Sequence, residues 1–298
     1  MKSSTLLNAI LIAVLAVLFL VGATVLASQF LGKGAKMAWG ASQEKVGVVE
    51  IKGIITDSRT ILKQLDDFRD NPSIKAIVLR INSPGGAVGP SQEILGEVEK
   101  IRKKKKVVAS LGTVAASGAY YIASGSDLIM ADRGTATGSI GVIMEFTNVE
   151  GLTKKIGLDF FTLKSGRYKD VGSPFRTMTP EEKEYMQHLL DNIYQQFLSD
   201  VARNRKIPLE TLRPLAEGKI YTGEEAKEIG LVDAFGNPED AIEKAGRLGG
   251  IRGKVEAVYP PKQGSIMNYL IGNDTEETLS NLMAFTYPQP AFLPAWFK

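Results

Sequence analysis

The chain reads VVASLGTVAASGAYYIASGSDLIMA from Val107 to Ala131, and this stretch indicates how the fold is built. Val107–Leu111 is a short apolar run of the kind that forms a buried strand. Residues 112–113 are expected to break that strand, and the small residues from Ala116 to Ser124 are expected to form a helix. Ser117 therefore lies where a strand has turned and a helix begins.

The position of Ser117 suits chemistry that develops negative charge. The first N–H groups of a helix have no partner within the helix, and the helix dipole there favours an anion. Small neighbours, Ala115 to Ala119, leave room for the backbone of a substrate. The alternative is that Ser117 is an ordinary helix N-cap, which is a common role for serine. The local sequence leaves both interpretations open.

Composition narrows the class of protein. The 298 residues suit one large or two small domains, and 44% apolar residues can supply a core. Lysine and arginine exceed aspartate and glutamate by 36 to 33, a balance that does not suggest a nucleic-acid partner. The absence of cysteine excludes disulfides, a thiol nucleophile and thiolate metal sites. His188 is the single histidine, so we expect no metal site and no cofactor.

The amino-terminal segment predicts a membrane anchor. Leu6–Leu31 contains no charged residue, and an apolar run of this length suits a bilayer span better than a signal peptide. We expect one transmembrane helix over Leu6–Ala27 within an anchor of residues 1–28, with the remainder on the extracytoplasmic side. The alternative is a signal peptide cleaved near Ala27. Residues 29–43, rich in glycine, alanine and serine, are expected to be a linker.

The body, residues 44–260, alternates strand and helix patterns. Apolar strands are expected at 46–51, 74–81, 107–111 and 127–131, with helices at 58–69 and 90–104 between them. This order predicts an α/β layered domain with a mostly parallel sheet and helices outside. A glycine loop is expected at Asn82–Gly86, a further strand at Asp159–Leu163, and a loop at Lys164–Pro174. The tail, residues 261–298, is expected to contact a membrane or another subunit.

Serine at neutral pH needs a base before it becomes a nucleophile. With histidine nearly absent, a lysine is the alternative, and it serves only when burial or a nearby cation favours its neutral form. Lys169 is one candidate for this base and Lys164 is the competing one. The alternative for each lysine is an ordinary exposed, charged side chain. His188 is expected to be a surface or structural residue of a helix.

Four motifs occur in a fixed order along the body: INSPGG at 81–86, AASGAYY at 115–121, TGSIGV at 137–142 and SGRYKDVGSP at 165–174. Together they resemble the signal peptide peptidase A family, in its short single-domain bacterial form. The resemblance implies a Ser-Lys serine protease with the Clp peptidase and crotonase fold. It implies an anchor in the bacterial cytoplasmic membrane and an assembly into ring-like homo-oligomers whose neighbouring subunits can complete the site.

The resemblance also implies roles for particular residues: Ser117 as nucleophile, Lys169 as general base, Ser139 as the residue that positions the lysine, and Gly85 or Gly86 with Gly118 as oxyanion-hole donors. The expected function is a membrane-anchored endopeptidase that cleaves residual signal peptides, or other short hydrophobic peptides, through an acyl-enzyme. The expected partners are peptides, the lipid bilayer and further copies of the chain.

Two other functions remain open at this point. A crotonase-like acyl-thioester hydratase or hydrolase would also use glycine-rich oxyanion loops, and its turnover would survive Ser117→Ala. A non-catalytic anchored scaffold would not react with a serine-directed covalent probe.

Overall fold

The structure is a computed structural model that describes residues 44–261 and the backbone of residues 291–292. The expected anchor, the linker and most of the tail lie outside the described residues. Among residues 44–261, no helix is both long and apolar enough to cross a bilayer.

Strands and helices alternate along the first half of the described chain. Their bounds are β1 (Lys45–Ile55), α1 (Arg59–Asp70), β2 (Ile74–Ala87), α2 (Val88–Ile101), β3 (Lys106–Ala116), α3 (Gly118–Ser124), β4 (Leu128–Ala131) and β5 (Ala136–Gly138). The second half is mainly helical. It contains α4 (Glu150–Lys155), α5 (Pro180–Arg205), α6 (Leu209–Leu212), a 3-10 turn (Arg213–Leu215), β6 (Ile220–Thr222), α7 (Gly223–Glu228), β7 (Ala234–Phe235), α8 (Pro238–Leu248), β8 (Glu256–Val258) and β9 (Ala291–Phe292).

One mostly parallel sheet contains the described strands. The order along it is β6-β5-β3-β2-β1-β8, while β4 pairs with β3 and β7, and β9 pairs with β2. Among the described strand pairs, β5–β6 and β2–β9 are antiparallel. The predicted α/β class, with a mostly parallel sheet, is therefore confirmed.

Helices cover both faces of the sheet, and the strands therefore read as nearly continuous apolar runs. Val49 and Ile51 face a large core shared with α1, α2, α3 and α5. Val46 and Val48, on the same strand, face a smaller core shared with α8. Side chains alternate between the two cores because successive residues of a strand point to opposite faces.

Two predicted interruptions in the strands are wrong. Residues 82–86, expected to be a loop, continue β2, and residues 112–116 continue β3. Ile54 pairs with Gly85 and Ile55 with Gly86, with register shifts between Lys52 and Ile54 and between Ile81 and Ser83. Because parallel neighbours satisfy the backbone groups of these residues, pairing outweighs the local tendency of glycine and proline to form a turn.

The strand predicted at Asp159–Leu163 is also wrong. These residues are irregular and exposed, with Phe161 87% and Leu163 91% exposed. No strand among residues 44–261 pairs with them, and an isolated strand cannot satisfy its backbone groups by pairing. The apolar pair Leu231–Val232 favours a short strand, but the strand of this region is β7, two residues later. The sequence of Pro208–Glu217 favours one helix, but the structure has the shorter α6 and the 3-10 turn there.

Gly86→Ala is expected to lower the free energy of unfolding by about 1–3 kcal/mol, because overpacking against backbone cannot relax. An added Cβ would lie 2.1 Å from the carbonyl oxygen of Ile55. Thermal unfolding of the two proteins measures the difference. The matched control is Gly96→Ala within α2, where nothing lies within 4 Å, and it should stabilise by roughly 0.5–1 kcal/mol. Equal unfolding midpoints for the two variants would contradict the packing at Gly86.

Candidate active site

Ser117 forms the whole connection between β3 and α3. Its backbone has φ 55° and ψ −119°, a conformation that a residue with a Cβ adopts only at a cost. Its N–H donates to the carbonyl of Gly138 at 2.8 Å, and its carbonyl accepts from the N–H of Tyr121 at 2.8 Å. These two bonds hold the residue between the neighbouring strand β5 and the first turn of the helix.

The hydroxyl of Ser117 is buried and unused. The residue is 1% exposed, and among residues 44–261 its Oγ has no hydrogen-bond partner. Buried polar atoms are nearly always hydrogen-bonded, so an exception indicates either strain or a functional group waiting for a ligand. An N-cap interpretation fails here, because the side chain makes no capping bond to α3.

Packing of α3 keeps Ser117 in place. All seven residues of the helix are buried. The Tyr120 hydroxyl donates to the carbonyl of Leu231 at 2.9 Å, and the Tyr121 hydroxyl donates to Asp200. The Tyr121 ring meets Phe197 edge to face at 4.8 Å. Burial raises the pKa of both phenols, which therefore remain neutral donors. Two adjacent residues in the middle of the helix are thus tied to neighbouring elements.

The glycine motif at the end of β2 lies beside this junction. The N–H of Gly85, which has φ 108°, donates to Ser83 Oγ at 3.1 Å, so that donor is already engaged. Asn82 Oδ1 accepts from the N–H of Val114 at 3.3 Å and links the ends of β2 and β3. Ser83 also pairs with Ala115 across the same two strands.

An extended segment already pairs with this edge. Gly86 and Ala87 pair antiparallel with Phe292 and Ala291, which form β9. The backbone at the end of β2 can therefore accept a further strand, which is one of the common ways in which proteins bind extended peptides.

Ser139 lies next to the residue that holds Ser117. It has φ 50°, is 5% exposed, and its N–H donates to the carbonyl of Lys219 at 2.7 Å. It opens onto a cleft of about 420 Å³ that is also lined by Ile140, Leu190 and Tyr194. The structure therefore brings Ser117 and Ser139 to adjoining strand ends.

Two threonines that sequence reasoning missed fasten this strand end. Thr135 Oγ1 donates to the carbonyl of Gly112 at 2.8 Å, and Thr137 Oγ1 donates to the carbonyl of Ala115 at 2.7 Å. Thr135 and Thr137 are two residues apart, as on one face of a strand. That spacing is the sequence signal that could have identified them.

The lysine candidates lie on an exposed segment. Lys169 follows a turn in which its N–H donates to the carbonyl of Gly166 at 3.1 Å, and the Lys169 side chain is not hydrogen-bonded to Ser117. Lys164 instead bonds Asp170 and the carbonyl of Arg167. His188 is exposed on α5, in agreement with the expected surface position.

Comparison with known proteins finds two family models and several relatives named as proteases. The chain matches peptidase family S49 over residues 99–252 and the Clp protease family over residues 45–131. A protein of Methanocaldococcus jannaschii that is named as a protease is 43% identical over 195 residues, which cover 65% of this chain and 63% of that protein. A protein of Synechocystis, also named as a protease, is 39% identical over 252 residues, which cover 83% of this chain and 90% of that protein.

A third relative carries a more specific name. A protein of Enterococcus faecium named as a signal peptide peptidase is 37% identical over 218 residues, which cover 68% of this chain and 63% of that protein. The chain thus spans slightly less than two thirds of the length of the Methanocaldococcus and Enterococcus relatives.

Ser117→Gly is expected to be more stable than Ser117→Ala by about 1 kcal/mol. Both substitutions remove the hydroxyl, but glycine adopts positive φ without the cost that a Cβ imposes, and this outweighs its greater freedom in the unfolded chain. Chemical denaturation of the two variants measures the difference. If Ser117→Ala were the more stable of the two, the positive φ at this position would be wrong.

Proposed function

The chain belongs to peptidase family S49, which confirms the prediction of a serine peptidase, and we propose that Ser117 is its nucleophile and Lys169 its general base. The observation that carries the proposal is the buried, unpartnered Oγ of Ser117 at the start of a helix. A hydroxyl kept free of partners in a strained turn is available to attack a carbonyl carbon.

The oxyanion would form beside the first turn of α3. The N–H of Gly118 is among the first in that helix and has no carbonyl one turn earlier to bond. The second donor would be Gly85 or Gly86. The N–H of Gly85 donates to Ser83 Oγ and Gly86 pairs with β1 and β9, so either residue would exchange that partner for the substrate. One such donor typically lowers the barrier by about 2.7–4 kcal/mol.

The substrate would bind as an extended strand along Gly86 and Ala87, the edge that β9 occupies. Ser117 Oγ then attacks the scissile carbonyl carbon as the Lys169 amine takes the hydroxyl proton. Collapse of the tetrahedral intermediate breaks the C–N bond, and the Lys169 ammonium gives its proton to the leaving amine. Water attacks the resulting ester with Lys169 again as base, which releases the acid and restores Ser117. Ser139 would position the lysine amine.

A neighbouring copy of the chain would complete the site. Lys169 does not bond to Ser117 within one chain, and it belongs to a segment whose apolar side chains face solvent. The exposed apolar side chains there are Leu152, Ile156, Leu158, Phe160, Phe161, Leu163 and Phe175. An exposed apolar surface of this kind is typical of a protein–protein interface. We therefore propose a homo-oligomer, in ring-like form, in which this segment packs on a second subunit.

The substrates would be residual signal peptides or other short hydrophobic peptides. The uncharged run at Leu6–Leu31 and the relative named as a signal peptide peptidase support this assignment. The run would anchor the enzyme in the bacterial cytoplasmic membrane with the peptidase body on the extracytoplasmic side. Hydrophobic segments left in that membrane would then lie within reach.

Ser117→Ala and Lys169→Ala are each expected to abolish peptide cleavage, with losses of at least about a thousandfold, because nucleophile and base act as a unit. His188→Ala, as the control, should retain it, because His188 lies exposed on α5. Mass spectrometry of a hydrophobic peptide after incubation with each full-length variant measures the products. An inactive His188→Ala enzyme together with an active Lys169→Ala enzyme would show that His188, and not Lys169, is the base.

Mixing inactive Ser117→Ala chains with inactive Lys169→Ala chains is expected to restore part of the activity. In a mixed oligomer some sites would combine an intact serine from one chain with an intact lysine from its neighbour. The yield should rise when the mixture is dissociated and reassembled together, and two preparations of one variant provide the control. Mixtures that remain inactive although both chains co-purify in one oligomer would place both groups on the same chain.

A further inference from the structure

The residues on both sides of Lys169 are tied to the first two turns of α5. On one side, the Tyr168 hydroxyl donates to Glu181 at 2.9 Å, and its ring stacks on Tyr185 at 4.8 Å. On the other side, Arg176 forms ion pairs with both Asp170 and Glu182. The helix that sets these positions starts at a complete capping box formed by Thr179 and Glu182.

Arg176 forms hydrogen bonds with the loop and with the first turn of α5. Its Nε and one terminal nitrogen bind the two carboxylate oxygens of Asp170, both at 2.8 Å. Its terminal nitrogens bind the two oxygens of Glu182 at 2.8 and 2.6 Å, and they also reach the carbonyls of Asp170 and Thr177. Hydrogen bonds from a guanidinium group to both oxygens of a carboxylate are strong and directional. The guanidinium lowers the pKa of Glu182 to about 2 and holds the pKa of Asp170 well below its usual range.

Lys169 itself takes no part in the network. Within residues 44–261 its side-chain nitrogen has no hydrogen-bond or ion-pair partner, although Asp170 is its neighbour in sequence. The nearby carboxylates are already occupied by other cations. Arg176 and Lys164 hold Asp170, Arg176 holds Glu182, and Arg167 holds Glu181.

We propose that Arg176 is a positioning residue for the reaction, and that it keeps the Lys169 amine unpaired by occupying the carboxylates that would otherwise pair with it. The inference rests on the proposed role of Lys169 as general base. An amine that forms an ion pair is stabilised in its charged form and cannot accept the serine proton. A lysine surrounded by acids can therefore act as a base only if those acids have other partners.

The charged and titratable groups that contacts connect to the segment of Lys169 come from three elements. On the loop they are Lys164, Arg167, Tyr168, Asp170 and Arg176; on α5 they are Glu181, Glu182 and Tyr185; on α4 they are Glu150 and Lys154. Glu150 is also occupied, by Lys154 and by the N–H of Thr177. In Arg176→Gln, Lys164 still holds one oxygen of Asp170, while the other is released beside Lys169.

The test is the pH dependence of kcat/KM for the full-length enzyme on one peptide. In Arg176→Gln the acid limb of the profile should move up by about one pH unit, as expected for a carboxylate newly free beside an amine. The value of kcat/KM on the plateau should also fall, by roughly ten- to a hundredfold, because the loop loses the hydrogen bonds of the guanidinium group that orders it. In the double variant Asp170→Asn with Arg176→Gln, the limb should return toward its original pH while the plateau stays low, because the released Glu182 still accepts from the N–H of Thr179. Arg176→Lys, which keeps the charge, should leave the limb in place.

The matched control is Arg203→Gln. Arg203 lies on α5, away from the loop, and binds Glu99 and Asp200, so its loss should not move the limb. An acid limb that stays in place in Arg176→Gln, whatever happens to the plateau, would overturn the inference. Lys169→Ala separates this result from a failure of the dyad. If Lys169→Ala is inactive and the limb is unmoved, only the role of Arg176 falls. If Lys169→Ala retains cleavage, the proposed base and this inference fall together.

Discussion

One residue turns strand β3 into helix α3, and the geometry of the site depends on that turn. β3 lies inside the sheet, α3 is buried along its whole length, and Ser117 is the single residue between them. Ser117 therefore adopts a positive φ that costs about 1–3 kcal/mol. The cost is offset by its bond to Gly138 and by the packing of the two tyrosines that follow. A rigid surrounding is what keeps a strained, unpartnered hydroxyl in one orientation.

The segment that carries Lys169 is ordered by contacts of a different kind. Lys169 lies in an irregular, solvent-facing segment with few core contacts, and its order comes from ion pairs and stacked rings rather than from burial. Such contacts depend on the charges present and on any surface that covers the segment. The two halves of the proposed dyad therefore differ physically: the sheet core sets the serine, whereas electrostatics and a neighbouring subunit would set the amine.

Much of the architecture follows from local patterns. The apolar runs of β1, β2 and β3 predict buried parallel strands, and the sequence Thr179-Pro-Glu-Glu182 predicts the start of α5 that the structure shows. The errors share one cause. At residues 82–86 and 112–116 glycine suggests a turn, yet adjacent strands supply hydrogen bonds that keep the chain extended. At Asp159–Leu163 the composition suggests a strand, yet no described strand lies beside it.

The sequence by itself determined the α/β class, the order of the elements and the motifs that carry Ser117, Ser139 and Lys169, because apolar periodicity and glycine placement are local properties. Only the tertiary structure decided that the Ser117 hydroxyl is buried without a partner and that Gly85 has already used its N–H. It also decided that Arg176 occupies the acids beside Lys169. These facts depend on the backbone conformation and side-chain directions that packing imposes. Spacing along a sequence does not specify them, even for residues only two to six positions apart.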